Sequence, residues 1–88
     1  MTLYDGQKDG QYTVNGLYLE EGITRRLQAL GLNDGTTVKV LNRRKKGAMI
    51  IQVRGTRLAL GKHIAAGIEV VSGSKEEAGK EGRSYDAN

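Results

Sequence analysis

The sequence predicts a mainly β domain: a small barrel of about five short strands, with one short α-helix after the first strand and a one-turn helix before the last. Three observations predict it. Short apolar and β-branched runs recur along the chain, each closed by a turn signal. Thirteen glycines are spread over 88 residues that contain no proline, phenylalanine or tryptophan, which suits tight turns between short strands. Only residues 23–30 carry helical spacing of any length, too little for a second layer, so the strands must bury their apolar side by closing on themselves.

Residues 1–10 are polar and glycine-rich, with Leu3 the expected anchor. Residues 11–19 read as a strand, with Tyr12 and Val14 at alternate positions. Asn15-Gly16 inside it is either a hairpin turn or a bulge. Glu20 and Glu21 precede the helix, where negative charge suits its positive end.

Ile23, Leu27 and Leu30 stand at i, i+4 and i+7 and share one helical face. Gly31 then takes the left-handed position that ends a helix, and Leu32 folds back onto the apolar stripe. So short a helix cannot persist alone in water and must lie on a sheet. Asn33-Asp34-Gly35 is a turn, and Thr36-Thr37-Val38-Lys39-Val40-Leu41 a strand.

Asn42-Arg43-Arg44-Lys45-Lys46-Gly47 follows as a basic loop, then Ala48-Met49-Ile50-Ile51-Gln52-Val53 as a nearly continuous apolar, buried strand. Arg54-Gly55-Thr56-Arg57 reads as a hairpin turn of type II′ with Gly leading. Leu58-Ala59-Leu60 returns as a strand. Residues 61–67 allow one helical turn, and Ile68-Glu69-Val70-Val71 is the last strand. The domain is thus residues 1–71, and residues 72–88, small and charged, read as a disordered tail.

The net charge is +4. Residues 1–71 hold 11 Lys/Arg against 6 Asp/Glu, so the positive charge belongs to the folded part and favours an acidic partner. Cysteine is absent, which excludes thiolate metal sites and disulfides. The N-terminus has no signal-peptide pattern and no run is long enough to span a membrane, so a cytoplasmic protein is expected.

No catalytic constellation is visible. His63 has no cysteine or second histidine near it and reads as a surface residue of the helical turn. Glu20-Glu21 reads as a solvated helix entry rather than a metal site. Arg25 and Arg26 fall in the first helical turn, where the dipole disfavours cations, which hints at a partner or an acidic neighbour. The expected docking surface is Arg25, Arg26, Leu30 and Leu32 at the helix, with Arg43, Arg44, Lys45 and Lys46 in the basic loop. The alternative is a small-barrel nucleic-acid-binding protein whose basic loop, joined by Lys39, Arg54 and Arg57, neutralises phosphates, though no nucleic acid is expected as partner. Against it, Tyr4, Tyr12, Tyr18 and Tyr85 are the only aromatics and none is interleaved with the loop.

The set Arg26-Leu27-Gln28-Ala29-Leu30-Gly31-Leu32-Asn33-Asp34-Gly35, Val38-Lys39-Val40-Leu41, Ile51-Gln52-Val53-Arg54-Gly55, Leu58-Ala59-Leu60, Ala65 and Ile68-Glu69-Val70 resembles the FeoA family, over about residues 3–71. Family members often carry proline in the loop where Arg43-Arg44-Lys45-Lys46-Gly47 stands here. The resemblance implies an SH3-like β-barrel, also found as the C-terminal domain of iron-dependent repressors. It implies a non-enzymatic accessory of bacterial ferrous iron uptake, linked to transition metal ions. The implied partner is the cytoplasmic G-protein part of the membrane transporter FeoB, which would recruit the chain to the inner face of the membrane. No cofactor is implied, and any nucleotide would be bound by the partner. A homo-oligomer is compatible with the apolar strands.

Overall fold

Alternation of buried and exposed side chains along each strand builds the sheet. The computed structural model describes residues 1–44 and 47–73. Its elements are β1 (Gln11–Leu17), α1 (Glu21–Ala29), β2 (Thr37–Arg43), β3 (Met49–Val53), β4 (Thr56–Leu60), α2 (Lys62–Ala65) and β5 (Ile68–Ser72). The strands form one antiparallel sheet in the order β4-β3-β2-β1-β5. Tyr12 and Val14 of β1, Val38 and Val40 of β2, Met49, Ile51 and Val53 of β3, Leu60 of β4, and Ile68 and Val70 of β5 all point into one core. Leu27 of α1, Leu32 and Ala65 of α2 complete it, and Leu3 is fully buried as the N-terminal anchor.

The two end strands of the ladder, β4 and β5, do not pair with each other among the described residues. β5 has its outer edge covered instead by the first residues of the chain. Thr2 pairs with Glu69, and the Val70 amide donates to the Met1 carbonyl at 2.9 Å. The gap between β4 and β5 is crossed by α2. A 3₁₀ turn over Leu3–Asp5, which no sequence periodicity announces, ties down this end. The Thr2 amide donates to Asp5 Oδ2 at 2.9 Å, and the Met1 ammonium to Glu69 Oε1 at 2.8 Å.

Two irregularities shape the sheet. Asn15-Gly16 is a bulge, because pairing with β5 shifts register between Val14 and Leu17. A second shift lies in β2 between Val40 and Asn42. β2 then continues through Asn42 and Arg43, which pair with Ile50 and Met49, so the basic loop is shorter than expected. β3 is not continuously buried either: Ile50 lies half-buried on the outer side, as strict alternation requires.

The end of α1 follows from Gly31. Its φ is +104°, the left-handed region. The Leu32 amide donates to the Leu27 carbonyl at 2.9 Å and the Gly31 amide to the Gln28 carbonyl at 3.0 Å, the paired bonds of a Schellman turn. Leu32 is thereby driven fully into the core, while Leu30 stays 48 % exposed. The i, i+4, i+7 stripe therefore loses its last member: Leu30 lies beyond the regular helix, which ends at Ala29.

The β3–β4 turn also differs from the expected type. Val53 pairs with Thr56, so the loop is Arg54-Gly55 alone. Both residues have positive φ, +51° and +80°, the pattern of a type I′ turn. An arginine in the left-handed region costs about 1–2 kcal/mol.

The sheet also outruns the expected domain end. β5 extends to Ser72, the Gly73 amide donates to the Gln11 carbonyl, and the Thr13 hydroxyl donates to the Gly73 carbonyl, both at 2.9 Å. The expected tail beyond these lies outside the described residues.

Replacing Gly31 by alanine should lower unfolding free energy in urea by about 1–2 kcal/mol, because φ is wrong for a Cβ. That Cβ would also stand 3.1 Å from Cδ of Arg54. Arg54→Gly should do the opposite. Relief of about 1–2 kcal/mol of strain exceeds the extra unfolded-state entropy of about 0.4–1 kcal/mol, leaving a gain of about 0.5 kcal/mol.

The N-terminal clasp carries its own pH dependence. The hydrogen bond to Glu69 raises the Met1 ammonium above its ordinary value. Its contribution is complete below the ordinary α-amino range and lost as pH rises through the folded value. Hydrogen bonds from the Thr2 backbone and then its hydroxyl hold Asp5 below the carboxylate range. That contribution is present above the ordinary carboxylate value and lost as pH falls through the folded one. Protection of the Thr2 and Val70 amides, measured as exchange relative to the intrinsic rate at each pH, should be greatest near neutrality and fall on both sides.

Candidate functional site

The exposed part of α1 is set by its first residues. Glu20 is the N-cap and Glu21 the first helical residue. Arg25 and Arg26 therefore lie past the first turn, where the helix dipole does not oppose them, and the expected misplacement disappears. Arg25 is paired with Glu21 one turn earlier, both strongly exposed. Such a pair is worth about 0.3–0.5 kcal/mol.

Arg26 is exposed on the turn before Leu30, whose amide donates to the Arg26 carbonyl at 3.1 Å. The β3–β4 turn comes up beside them, and the side chain of Arg54 lies against Gly31. Among the described residues Arg26 and Arg54 make no ion pair. Of the expected helix residues, then, Arg25, Arg26 and Leu30 are on the surface. Leu32 is not, and its place in a docking surface is withdrawn because it is fully buried.

The basic residues divide differently. Arg43 is not a free loop cation. Its Nη1 donates to the Gly6 carbonyl, and its guanidinium sits 4.8 Å from the centre of the Tyr4 ring. Lys62 approaches the same ring at 5.5 Å. An aromatic does therefore meet the base of the basic loop, brought there by the N-terminal 3₁₀ turn and not by sequence proximity. It already carries cations over its ring, so it is engaged within the fold. Arg44 is exposed and held by its amide to the Ala48 carbonyl at 2.8 Å; Lys45 and Lys46 lie outside the described residues. The structure thus separates the helix-end residues from the Tyr4 cluster.

A further concavity of about 530 Å³ opens between the end of β1 and α1, lined by Leu17, Tyr18, Leu19, Glu20, Ile23 and His63. Tyr18 is exposed at its rim. Sequence reading takes these residues as strand and helix positions. Only the bulge at Gly16, which re-aims the strand end, hints at a cleft. His63 is exposed, as expected. No group of three or more His, Asp or Glu that would hold a metal ion occurs among the described residues. Among them, too, no helix is long and apolar enough to cross a membrane.

The sequence model of the FeoA domain matches residues 1–72. The chain belongs to the FeoA family. Solved FeoA structures share its fold. FeoA from Chlorobium tepidum is 29 % identical, with a TM-score of 0.78 over 82 % of this chain and 70 % of that one. FeoA from Stenotrophomonas maltophilia, solved with zinc, is 28 % identical, with a TM-score of 0.71 over 81 % and 89 %. That protein is described as a prokaryotic SH3 domain protein and a candidate ferrous iron transport activating factor. A manganese-dependent transcriptional repressor, 23 % identical, matches 82 % of this chain but 41 % of its own, with a TM-score of 0.75, and shares the fold alone. Among curated proteins no match is found.

The curled five-stranded sheet is thus the SH3-like fold of the FeoA family, and the family is one of ferrous iron transport proteins. Within this FeoA domain the two arginines that open the basic loop differ in kind. Arg43→Ala should cost about 1 kcal/mol of stability through loss of the Tyr4 and Gly6 contacts. It should also shift the amide resonances of residues 4–6. Arg44→Ala should change stability by less than about 0.5 kcal/mol. Thermal melts and amide spectra of the two variants test the division.

Proposed function

We propose that this FeoA-family chain is a non-enzymatic accessory of ferrous iron uptake that docks on the cytoplasmic G-protein part of a FeoB-type membrane transporter. The observation that carries the reading is the FeoA match over residues 1–72, which covers the sheet and both helices. The surplus of positive charge in residues 1–71 supports an acidic counter-surface. A rigid small barrel suits this role, since its loops and helix end present fixed side chains without needing a catalytic cleft.

The activity is then recognition alone. The chain binds the G-protein part, and any effect on nucleotide turnover arises by favouring one conformation of that partner over another. Iron need not touch the chain.

Titration of the ¹⁵N-labelled protein with the soluble G domain of its cognate transporter tests the reading. Saturable amide shifts on residues 25–31 are expected, with affinity that weakens as salt rises, since exposed charge pairs are screened beyond about 10 Å at 0.1 M. Arg26→Glu should weaken binding at least several-fold without changing the melting temperature. Absence of shifts with the G domain, together with shifts from single-stranded nucleic acid, would replace this reading by the phosphate-binding alternative.

A further inference from the structure

The β3–β4 turn contains an anomaly that the fold does not need. Type I′ turns take Asn, Asp or Gly at their first central position, because those residues accept positive φ. Here Arg54 occupies it at φ +51°, followed by Gly55 at +80°. Nothing in the core depends on an arginine at this place: the residue is exposed and makes no ion pair among the described residues. Strained non-glycine residues cluster where a side chain is held for use.

What the strain achieves is a position. The turn directs the Arg54 side chain onto Gly31, where a Cβ would stand 3.1 Å from Cδ and 3.6 Å from Nε of Arg54. A Cβ at Gly31 would force the Arg54 side chain to shift by a few tenths of an ångström. The Arg54 side chain is therefore carried to Gly31 at the end of α1, the residue that follows Leu30, a large apolar side chain exposed at this end of the helix. Arg26, exposed and without an ion pair among the described residues, stands one turn back along the helix. The carbonyls of Leu27 and Gln28 are already satisfied by the Leu32 and Gly31 amides, so Arg54 is not needed as a helix cap. The acidic group in the adjoining turn, Asp34, is exposed and forms no ion pair among the described residues.

We infer that Arg54, Leu30 and Arg26 form one recognition patch, an exposed leucine with two arginines that make no ion pair among the described residues. It is built to receive a protein surface that presents carboxylates around an apolar side chain. Charge complementarity selects that occupant: two arginines beside an apolar contact favour bidentate carboxylates, with the leucine excluding water between them. The inference deepens the docking reading above and rests on it. It also moves the weight of that surface from the basic loop to the β3–β4 turn.

Strain supplies a test in which structure and recognition give opposite signs. Arg54→Gly, Arg54→Lys and Leu30→Ser would be compared with the wild-type full chain. Each would be titrated by calorimetry into the cognate G domain and into the whole transporter in nanodiscs, with melting temperatures measured in parallel. Arg54→Gly is expected to melt at or above the wild-type temperature yet bind at least tenfold more weakly. Arg54→Lys should fall several-fold, because an ammonium cannot grip a carboxylate in two places. Leu30→Ser should lose at least fivefold with little change in melting. Wild-type binding that all three substitutions leave unchanged would overturn this inference while the docking reading stands. Failure of the wild-type chain to bind either form of the transporter would overturn both. Weaker binding by Arg54→Gly together with a lowered melting temperature would show that Arg54 serves the fold, and would also overturn the inference.

Discussion

Leu32 reaches the core only because the chain reverses at Gly31. With Leu27 it supplies the apolar contact by which a nine-residue helix, too short to persist alone, is held on the sheet. Full burial of two leucines is worth about 1.5–3 kcal/mol each. The same reversal leaves Leu30 outside and opens the space into which Arg54 extends. One backbone conformation thus settles both how the helix is retained and what its far end shows to solvent.

The other end of the molecule is organised by a different economy. The N-terminal residues lie along the outer edge of β5, and the 3₁₀ turn that follows places Tyr4 under Arg43 and near Lys62. Cations that look in sequence like a solvated run are partly used as internal struts. Charge density along the chain is therefore a poor guide to charge free for a partner. Arg43 is committed, whereas Arg26 and Arg54, from two separate elements, make no ion pair among the described residues.

Much of this architecture was legible in the residues. The turn at Gly31, the anchor at Leu3 and the order of the elements all follow from local rules that the tertiary structure reinforces, while at Asn15-Gly16 only the pairing with β5 decides for a bulge over a hairpin turn. The misreadings have specific physical causes. A helix that starts at its first apolar residue, Ile23, puts Arg25 and Arg26 in the first turn, whereas Glu21 begins it without a side-chain cap. Gly55 reads as the leading residue of a type II′ turn, and pairing of Val53 with Thr56 makes it the second instead. Leu30 and Leu32 look equivalent in sequence, and only the Schellman bonds separate them. The approach of Tyr4 to Arg43 spans 39 positions, beyond any local pattern.

The open side of β4 has a consequence of a different kind. In a hairpin with a two-residue loop, Val53 and Thr56 form a hydrogen-bonded pair, so backbone bonding to β3 alternates from there. The amides and carbonyls of Arg57 and Ala59 consequently face outward, the pattern that invites another strand to add. Antiparallel addition of a second copy at this edge would bring the exposed Arg57 side chains of the two chains close together. Their repulsion is strong in dilute buffer and fades as ions screen it. Concentrated salt therefore weakens the charge that guards an edge which no strand covers among the described residues.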